Sequence, residues 1–417
     1  MESRQQRFER LQRAMNEIAA HDPERSFSEL IDDKRALFKD FKLIYSTNHL
    51  EGNFANSSLK VIEDECPVLK KYFYGTGLLF FTDELYDKTR KHGKVKIPLD
   101  YSLSLDSNAA ERFRAWEDRK SLDKSVYDFE RLVRFIKEGG GNGFNFDYSF
   151  FLIENYFDSM KENNHRPFNT IRALKRFDHL IYDKDNFDIN NPSFNEDRIA
   201  AGHRAIDTLH AFHSSPEIKA FQERRMLLYI VLLKAVILRQ NKNTTLTDKI
   251  SELTLFCLND LEKFPKTELY FAWKLLKNGN QLRFFEPVSQ IGNKTLKNVK
   301  GMSWDIFALR YQETLASKGY LGDFFIPFFA SFDNRFVELV QACPIRAVLI
   351  DEQGKNVITI QLDELEFQAE LNKSITPEIH QILSNTELKL KRMKTNLSYD
   401  TLQVKAQLLE DVLETYC

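Results

Sequence analysis

Four acidic residues stand where they could do chemistry. Asp106 closes the run YSLSLD and Asp333 closes a second apolar run, FFIPFFASFD. An acid just beyond the carboxyl end of a strand lies where open α/β sheets gather their ligands, so both could reach one site. Asp is also a favoured helix N-cap, and capping alone would account for either residue. Glu154, in DYSFFLIENYFDSM, has Phe150, Phe151 and Phe157 as helical neighbours, which puts its carboxylate on an apolar face. A charge there needs a cation or a basic partner. Asp147 and Asp158 fall on nearly the same face. Asp305 reads as a first-turn acid in SWDIFALRY, beside Trp304, Ala308, Tyr311 and Leu315, where serving the helix dipole is the simpler role. If these carboxylates converge, their mutual repulsion is relieved only by cations, and hard oxygen ligands suit Mg²⁺ or Mn²⁺.

The elements that must position these acids are mostly helical. Gly and Pro together number 26 of 417 residues, so few positions break regular structure. Residues 1–98 read as a helical N-terminal region. YSLSLD then alternates like a short strand, AAERFRAWEDR follows as a helix, GGGNG at 139–143 as a loop, and 147–161 as an aromatic-rich helix. Residues 161–300 form a long helical insertion without a convincing strand. After Gly301 the order is helix, strand, acid, helix and the strand IRAVLI, which is α/β grammar. The segment 352–417 reads as the end of a hairpin, VITIQL, followed by a charged helical tail.

A strand ending in D-S-N, an acid on an inward helix 48 residues later, a helix opening with Asp, and a strand ending in Asp 28 residues beyond it together resemble the PIN-like nuclease domain. The match spans two blocks, 99–160 and 301–351, and the segment from Trp304 to Ile350 carries most of it. The resemblance implies an α/β core with a parallel sheet, split by the insertion and extended by helices at both ends. It implies that Asp106, Glu154, Asp305 and Asp333 bind Mg²⁺ or Mn²⁺ and catalyse phosphodiester hydrolysis, that Asn108 supports them, and that RNA or DNA is the substrate. Ser107 fits the small residue beside the first acid. The stretch between Glu154 and Asp305 is far longer than in compact members. The extra helices would govern substrate access, homo-oligomerisation or a regulatory partner, with antiviral defence as one setting.

Other patterns compete. Arg198 and His203, in RIAAGH, have the R-x4-H spacing of HEPN ribonucleases, which would make cleavage metal-independent; a helical regulatory protein with an inactive core is a further alternative. His203, His210 and His213 lack an acid or Cys at an established metal spacing. Arg166, Arg172, Lys175 and Arg176 form a candidate phosphate track, as do Arg4, Arg7, Arg10 and Arg13, and Lys389, Lys391, Arg392 and Lys394, although such runs are commonly solvated helix faces. No Walker loop, GxGxxG or GxSxG is present.

Composition bounds these readings. With 59 basic and 61 acidic side chains the formal charge is −2, so no global field draws the chain to nucleic acid or anionic lipid, and any such partner must meet a local patch. Cys66, Cys257, Cys343 and Cys417 are scattered, and together with a charged N-terminus lacking an apolar leader core they predict a reducing, cytoplasmic setting. The most apolar run, MLLYIVLLKAVIL, is thirteen residues and predicts a buried helix rather than a membrane span.

Overall fold

The computed structural model describes residues 2–22, 25–93, 95–122, 125–139, 144–316 and 322–416, so four of the five GGGNG positions and Cys417 lie outside the described residues. In chain order the elements are α1 (Arg4–Ala20), α2 (Phe27–Phe38), β1 (Lys42–Thr47), β2 (Ala55–Ser58), α3 (Lys60–Glu65), β3 (Leu69–Lys71), β4 (Gly77–Phe81), α4 (Asp83–His92), β5 (Leu99–Leu105), α5 (Ser107–Glu117), α6 (Val126–Gly139), β6 (Phe144–Asp147), α7 (Ser149–Glu154), α8 (Arg166–Asp178) and α9 (Arg198–His213). They continue with α10 (Pro216–Gln240), α11 (Leu246–Asn259), α12 (Lys266–Asn278), α13 (Thr295–Ala316), β7 (Phe324–Ala330), α14 (Arg335–Ala342), β8 (Ile345–Asp351), β9 (Asn356–Gln361), α15 (Glu364–Ser374), α16 (Pro377–Ser384), α17 (Thr386–Lys394) and α18 (Tyr399–Glu414). The chain is mostly helical and forms two compact units: residues 1–218, 308–337 and 345–360, and residues 219–307, 338–344 and 361–417.

The first unit contains two sheets. One has the order β2-β4-β1-β8-β9, with β1 antiparallel to both β4 and β8. The other has the order β3-β7-β5-β6, in which β5 runs parallel to β7 and to β6 while β3 is antiparallel. An α/β region with parallel strands is therefore present. Two expectations are corrected. The N-terminal region is not all helix, because it supplies four strands. LIY in β1 and GLLFF in β4 are buried on both faces of their sheet, so they carry no alternation to mark them as strands. The strand IRAVLI is β8, and it joins the antiparallel sheet beside β1 rather than closing the parallel one.

The antiparallel sheet buries one face under α1 and α2. Leu11, Ile18, Phe27, Ile31 and Phe38 pack on Leu43, Tyr45, Leu79, Phe81 and Leu349. Arg7, expected as part of a phosphate track, instead donates from Nε to Asp351 Oδ1 at 2.7 Å, with the Asp351 side chain fully buried. Its neighbour Arg10 pairs with Glu2 at 2.9 Å and lies over the Phe41 ring. Asp351 also accepts from Gly354 N at 3.0 Å. Burial opposes its charge, but these donors hold its carboxyl below the ordinary carboxylate value. The pair therefore stabilises the fold above the unfolded carboxyl's pKa and is lost as pH falls through the lower folded value. Asp351→Asn keeps the acceptor for Gly354 but strands Arg7, and about 2 kcal/mol of stability should be lost at pH 7 and progressively less toward pH 3, measured by urea titration.

In the second unit, MLLYIVLLKAVIL forms the interior of α10, with Leu228, Ile230, Val231, Leu232 and Leu233 fully or almost fully buried. Among the described residues no helix is long and apolar enough to cross a membrane. Tyr270 and Trp273 of α12 pack on Phe367 of α15, both with ring centroids 5.5 Å apart. At the same contact Asp363 accepts from Tyr270 Oη at 2.7 Å and from Lys274 Nζ at 2.5 Å. The tail from α15 to α18 is helical, as its composition predicts.

Candidate functional site

The parallel register aligns the carboxyl ends of three strands. Leu105 of β5 lies opposite Ala330 of β7, and Ser104 of β5 lies opposite Asp147 of β6. Beyond β5 the chain turns through Asp106 into α5. Asp106 is the N-cap, and its Oδ1 accepts from Ala109 N at 2.6 Å. The capping role is therefore real. The carboxyl is half-buried and pushed up to about 7, chiefly by burial. Bonds from Ser331 and Ala109 oppose the shift, and the negative charges of Glu154 and Asp333 add to it. Those two acids are thus close enough to Asp106 to act on its ionisation.

Glu154 arrives from the other side. It is the last residue of α7, whose Phe150 packs against Phe329 of β7 at 5.3 Å between ring centroids. Its Oε2 accepts from Ser107 N at 3.2 Å and from Ser107 Oγ at 2.5 Å. Asn155 Nδ2 donates to the same Ser107 Oγ at 2.7 Å and to Phe151 O at 2.9 Å, which fixes the amide. Burial raises the Glu154 carboxyl, while the Ser107 bonds and the charge of Arg166 oppose the shift. Two carboxylates therefore share the N-terminus of α5, one on its first backbone N–H and one on its third, where the helix dipole favours negative charge. Asp333 is exposed at the rim, in the turn between β7 and α14; its N donates to Ser331 Oγ at 3.3 Å and its Oδ1 accepts from Arg335 N at 2.7 Å. Asn108 is exposed on the first turn of α5.

The other expected acids have local settings of their own. Asp305 is not in a first turn, because α13 begins at Thr295 and runs through Gly301 without a break; it belongs to the second unit. Asp147 accepts from Ser149 N at 2.8 Å and from Tyr311 Oη at 2.9 Å. Asp158 pairs with Lys161 at 2.6 Å, outside α7, which ends at Glu154 rather than running to 161. Among the described residues no three His, Cys, Asp or Glu side chains form a group that could hold a metal ion. Mg²⁺ commonly keeps several waters and takes one or two protein carboxylates, so Asp106 and Glu154 with neutral Ser oxygens beside them are a donor set of the right chemistry. Ser331 and Asn155 were not singled out from the sequence; their only signal is adjacency, two residues before Asp333 and one after Glu154.

The expected phosphate track is largely an ion-pair network. Arg166 Nε binds Glu111 at 2.7 Å. Arg172 and Arg176 bind Glu117 at 3.3 and 2.7 Å, and Lys175 Nζ lies 5.0 Å from the centre of the Tyr148 ring. Arg198, the first residue of the R-x4-H pattern, binds Glu117 at 2.7 Å and Asp118 at 3.2 Å. His203 is exposed on α9, and a spacing of five residues turns the two side chains well apart on that helix. His213 Nε2 lies 2.8 Å from Ser159 Oγ, so it too has a partner. In the other basic runs Lys391 binds Glu262 at 2.5 Å and Arg392 donates to Ile382 O, whereas the side chains of Arg4 and Lys389 lie outside the described residues. Compared with known proteins, the chain matches no family model, no curated protein and no solved structure.

Proposed function

We propose that the carboxyl edge of the parallel sheet in the first unit binds Mg²⁺ or Mn²⁺ and that the protein is a metal-dependent nuclease acting on RNA or DNA. One observation carries this reading: Asp106 and Glu154 both accept from backbone N–H groups at the N-terminus of α5, and burial, with the charges of Glu154 and Asp333 adding to it, pushes Asp106 up to about 7. Perturbed carboxylates at the carboxyl edge of an α/β sheet are the ordinary signature of a ligand site. Asp106 and Glu154 would hold the cation, and Asp333 at the rim would meet it or its waters. A bound divalent ion supplies an acidified water for attack on the phosphodiester and neutralises charge on the leaving oxygen. Ser107, Ser331 and Asn155 keep the carboxylates in place through the hydrogen bonds described above. This set is drawn from the first unit alone, without Asp305.

The test is cleavage of labelled single- and double-stranded RNA and DNA by the full chain. Activity with Mg²⁺ or Mn²⁺ and none in EDTA is expected. Full activity in EDTA that is lost in His203→Ala would instead support the metal-independent reading built on Arg198 and His203.

A further inference from the structure

Three buried polar side chains of the first unit are left over by the packing described above. Ser102 and Ser104 of β5 are 2% and 0% exposed, and Gln312 of α13 is 0% exposed. Among the described residues neither serine Oγ nor either end of the Gln312 amide has a hydrogen-bond partner. Nearly every buried polar group in a folded protein is bonded to protein or to ordered water, so these atoms need an account.

Strand register and helix geometry put them on facing surfaces. Ser104 pairs with Phe329 of β7 on one side and with Asp147 of β6 on the other, and Ser102 pairs with Pro327, so these residues share one face of the parallel sheet. The helix α13 covers that face. Its Tyr311 donates to Asp147 over β6, and Phe150 of α7 packs against both Tyr311 and Phe329, with ring centroids 5.6 and 5.3 Å away. Glu313 is close enough to Tyr72, the residue after the opposite edge strand β3, to act on its ionisation. Residues 311 and 313 point about 200° apart on a helix, and residue 312 bisects that arc. Arg310 and Thr314, on the far side of the helix, are only half-buried. Gln312 therefore points at the strands between the two edges, β7 and β5, where the small serines stand.

We infer that the layer between β5 and α13 binds two ordered waters, each bridging the Gln312 amide to one serine hydroxyl. The chemistry of the groups selects the ligand. Hydroxyls and an amide both donate and accept, which matches water, and none of the atoms carries a charge to hold an ion. Exposure of 2% or less leaves no mouth for a larger molecule. Spacing sets the number. Ser102 and Ser104 lie about 6.6 Å apart along one face of the strand, and a single water making two bonds of about 2.8 Å spans at most about 5.6 Å. The waters tie α13 to the strand whose end carries Asp106.

Gln312→Leu tests the sign. An amide bonded through water loses those bonds and leaves both serines unpaired, so the full chain should melt about 4 °C or more below the wild type. An amide with no partner at all would be relieved by leucine, and a variant that melts at or above the wild type would overturn the inference. Adding Ser102→Ala and Ser104→Ala should recover part of the loss, because the groups left unpaired are then removed as well. Fully additive losses would mean that the three side chains share no water, and would overturn it too. A crystal structure of the wild-type chain that resolves ordered water reads the layer directly, whatever the variants do. Water within about 3.2 Å of each serine hydroxyl and of the Gln312 amide is expected, and a direct bond from Gln312 to a serine, a dry layer or a larger molecule would each count against the inference decisively.

Discussion

Asp106→Asn should melt about 5 °C above the wild type at pH 8 in chelator, and the gap should narrow as the pH is lowered toward 4. The reason is the direction of the ionisation shift. The folded carboxyl is pushed up to about 7, mainly by burial, while the unfolded one titrates near the ordinary aspartate value of 3.8. Between these values the folded chain holds the proton more tightly, so stability falls as pH rises through the window and the full penalty applies above it. Asn removes the charge yet still accepts from Ala109 N, so the cap survives and only the penalty is relieved. A shift of this size is worth a few kcal/mol at most, since part of the carboxyl remains solvated, and a unit of this size gains roughly 2–4 °C per kcal/mol. The same charge is what a cation would use. Mg²⁺ should therefore raise the wild-type melting temperature at pH 8 and leave Asp106→Asn unchanged, while cleavage falls at least about a hundredfold in the variant. A variant that cleaves at the wild-type rate and gains no stability would reduce Asp106 to a helix cap. Because melting and cleavage are read separately, a cation site without nuclease activity would also be recognised.

The parts of this site legible in the sequence were those carried by strand ends. YSLSLD alternates in residue type although Ser102 and Ser104 are as buried as Leu103 and Leu105, so small polar residues rather than an exposed face marked β5, and the acid stands where that run ends. Asp333 was legible for the same reason, although β7 is buried along its whole length. Glu154 was half legible. Its flanking Phe150 and Phe151 are buried as the helical spacing requires, but Phe157 is 43% exposed because α7 stops at Glu154. Asp305 was misplaced because Gly301 resembles a helix boundary, whereas a lone Gly costs only about 1 kcal/mol inside a helix and the long apolar pattern of α13 outweighs it. The strands β1 and β4 were hidden by burial on both faces, which removes the polar half of the alternation. What sequence could not supply at all is pairing across long separations. Ser107 meets Glu154 across 47 positions, and Arg172 meets Glu117 across 55.

That last pair carries the largest stability effect expected in the protein. Glu117 closes α5 with its side chain 1% exposed, and it accepts from Arg172, Arg176 and Arg198, the first two only 17% and 18% exposed. Three guanidinium groups face Glu117 and its neighbour Asp118, so removing Glu117 leaves buried positive charge poorly compensated. Glu117→Ala should cost about 3–5 kcal/mol and lower the melting temperature by about 10 °C or more, with Glu117→Gln nearly as damaging because the amide cannot neutralise the arginines. Arg172→Glu should approach the same loss, since it sets a second carboxylate against Glu117. Arg166→Glu should differ. Arg166 is 56% exposed, and its partner Glu111 is also held by Arg114 and Thr170, so a change below about 1 kcal/mol is expected. This contrast separates structural arginines from arginines that contact phosphate. A phosphate contact at Arg172 would leave melting unchanged and flatten the salt dependence of nucleic-acid binding, whereas the ion-pair network predicts a large loss of stability in Arg172→Ala with the salt slope intact at temperatures where the variant is still folded. If Arg172→Ala and Glu117→Ala both melt with the wild type, α5 and α8 are held together by their apolar contacts and the arginines are free to bind an anion.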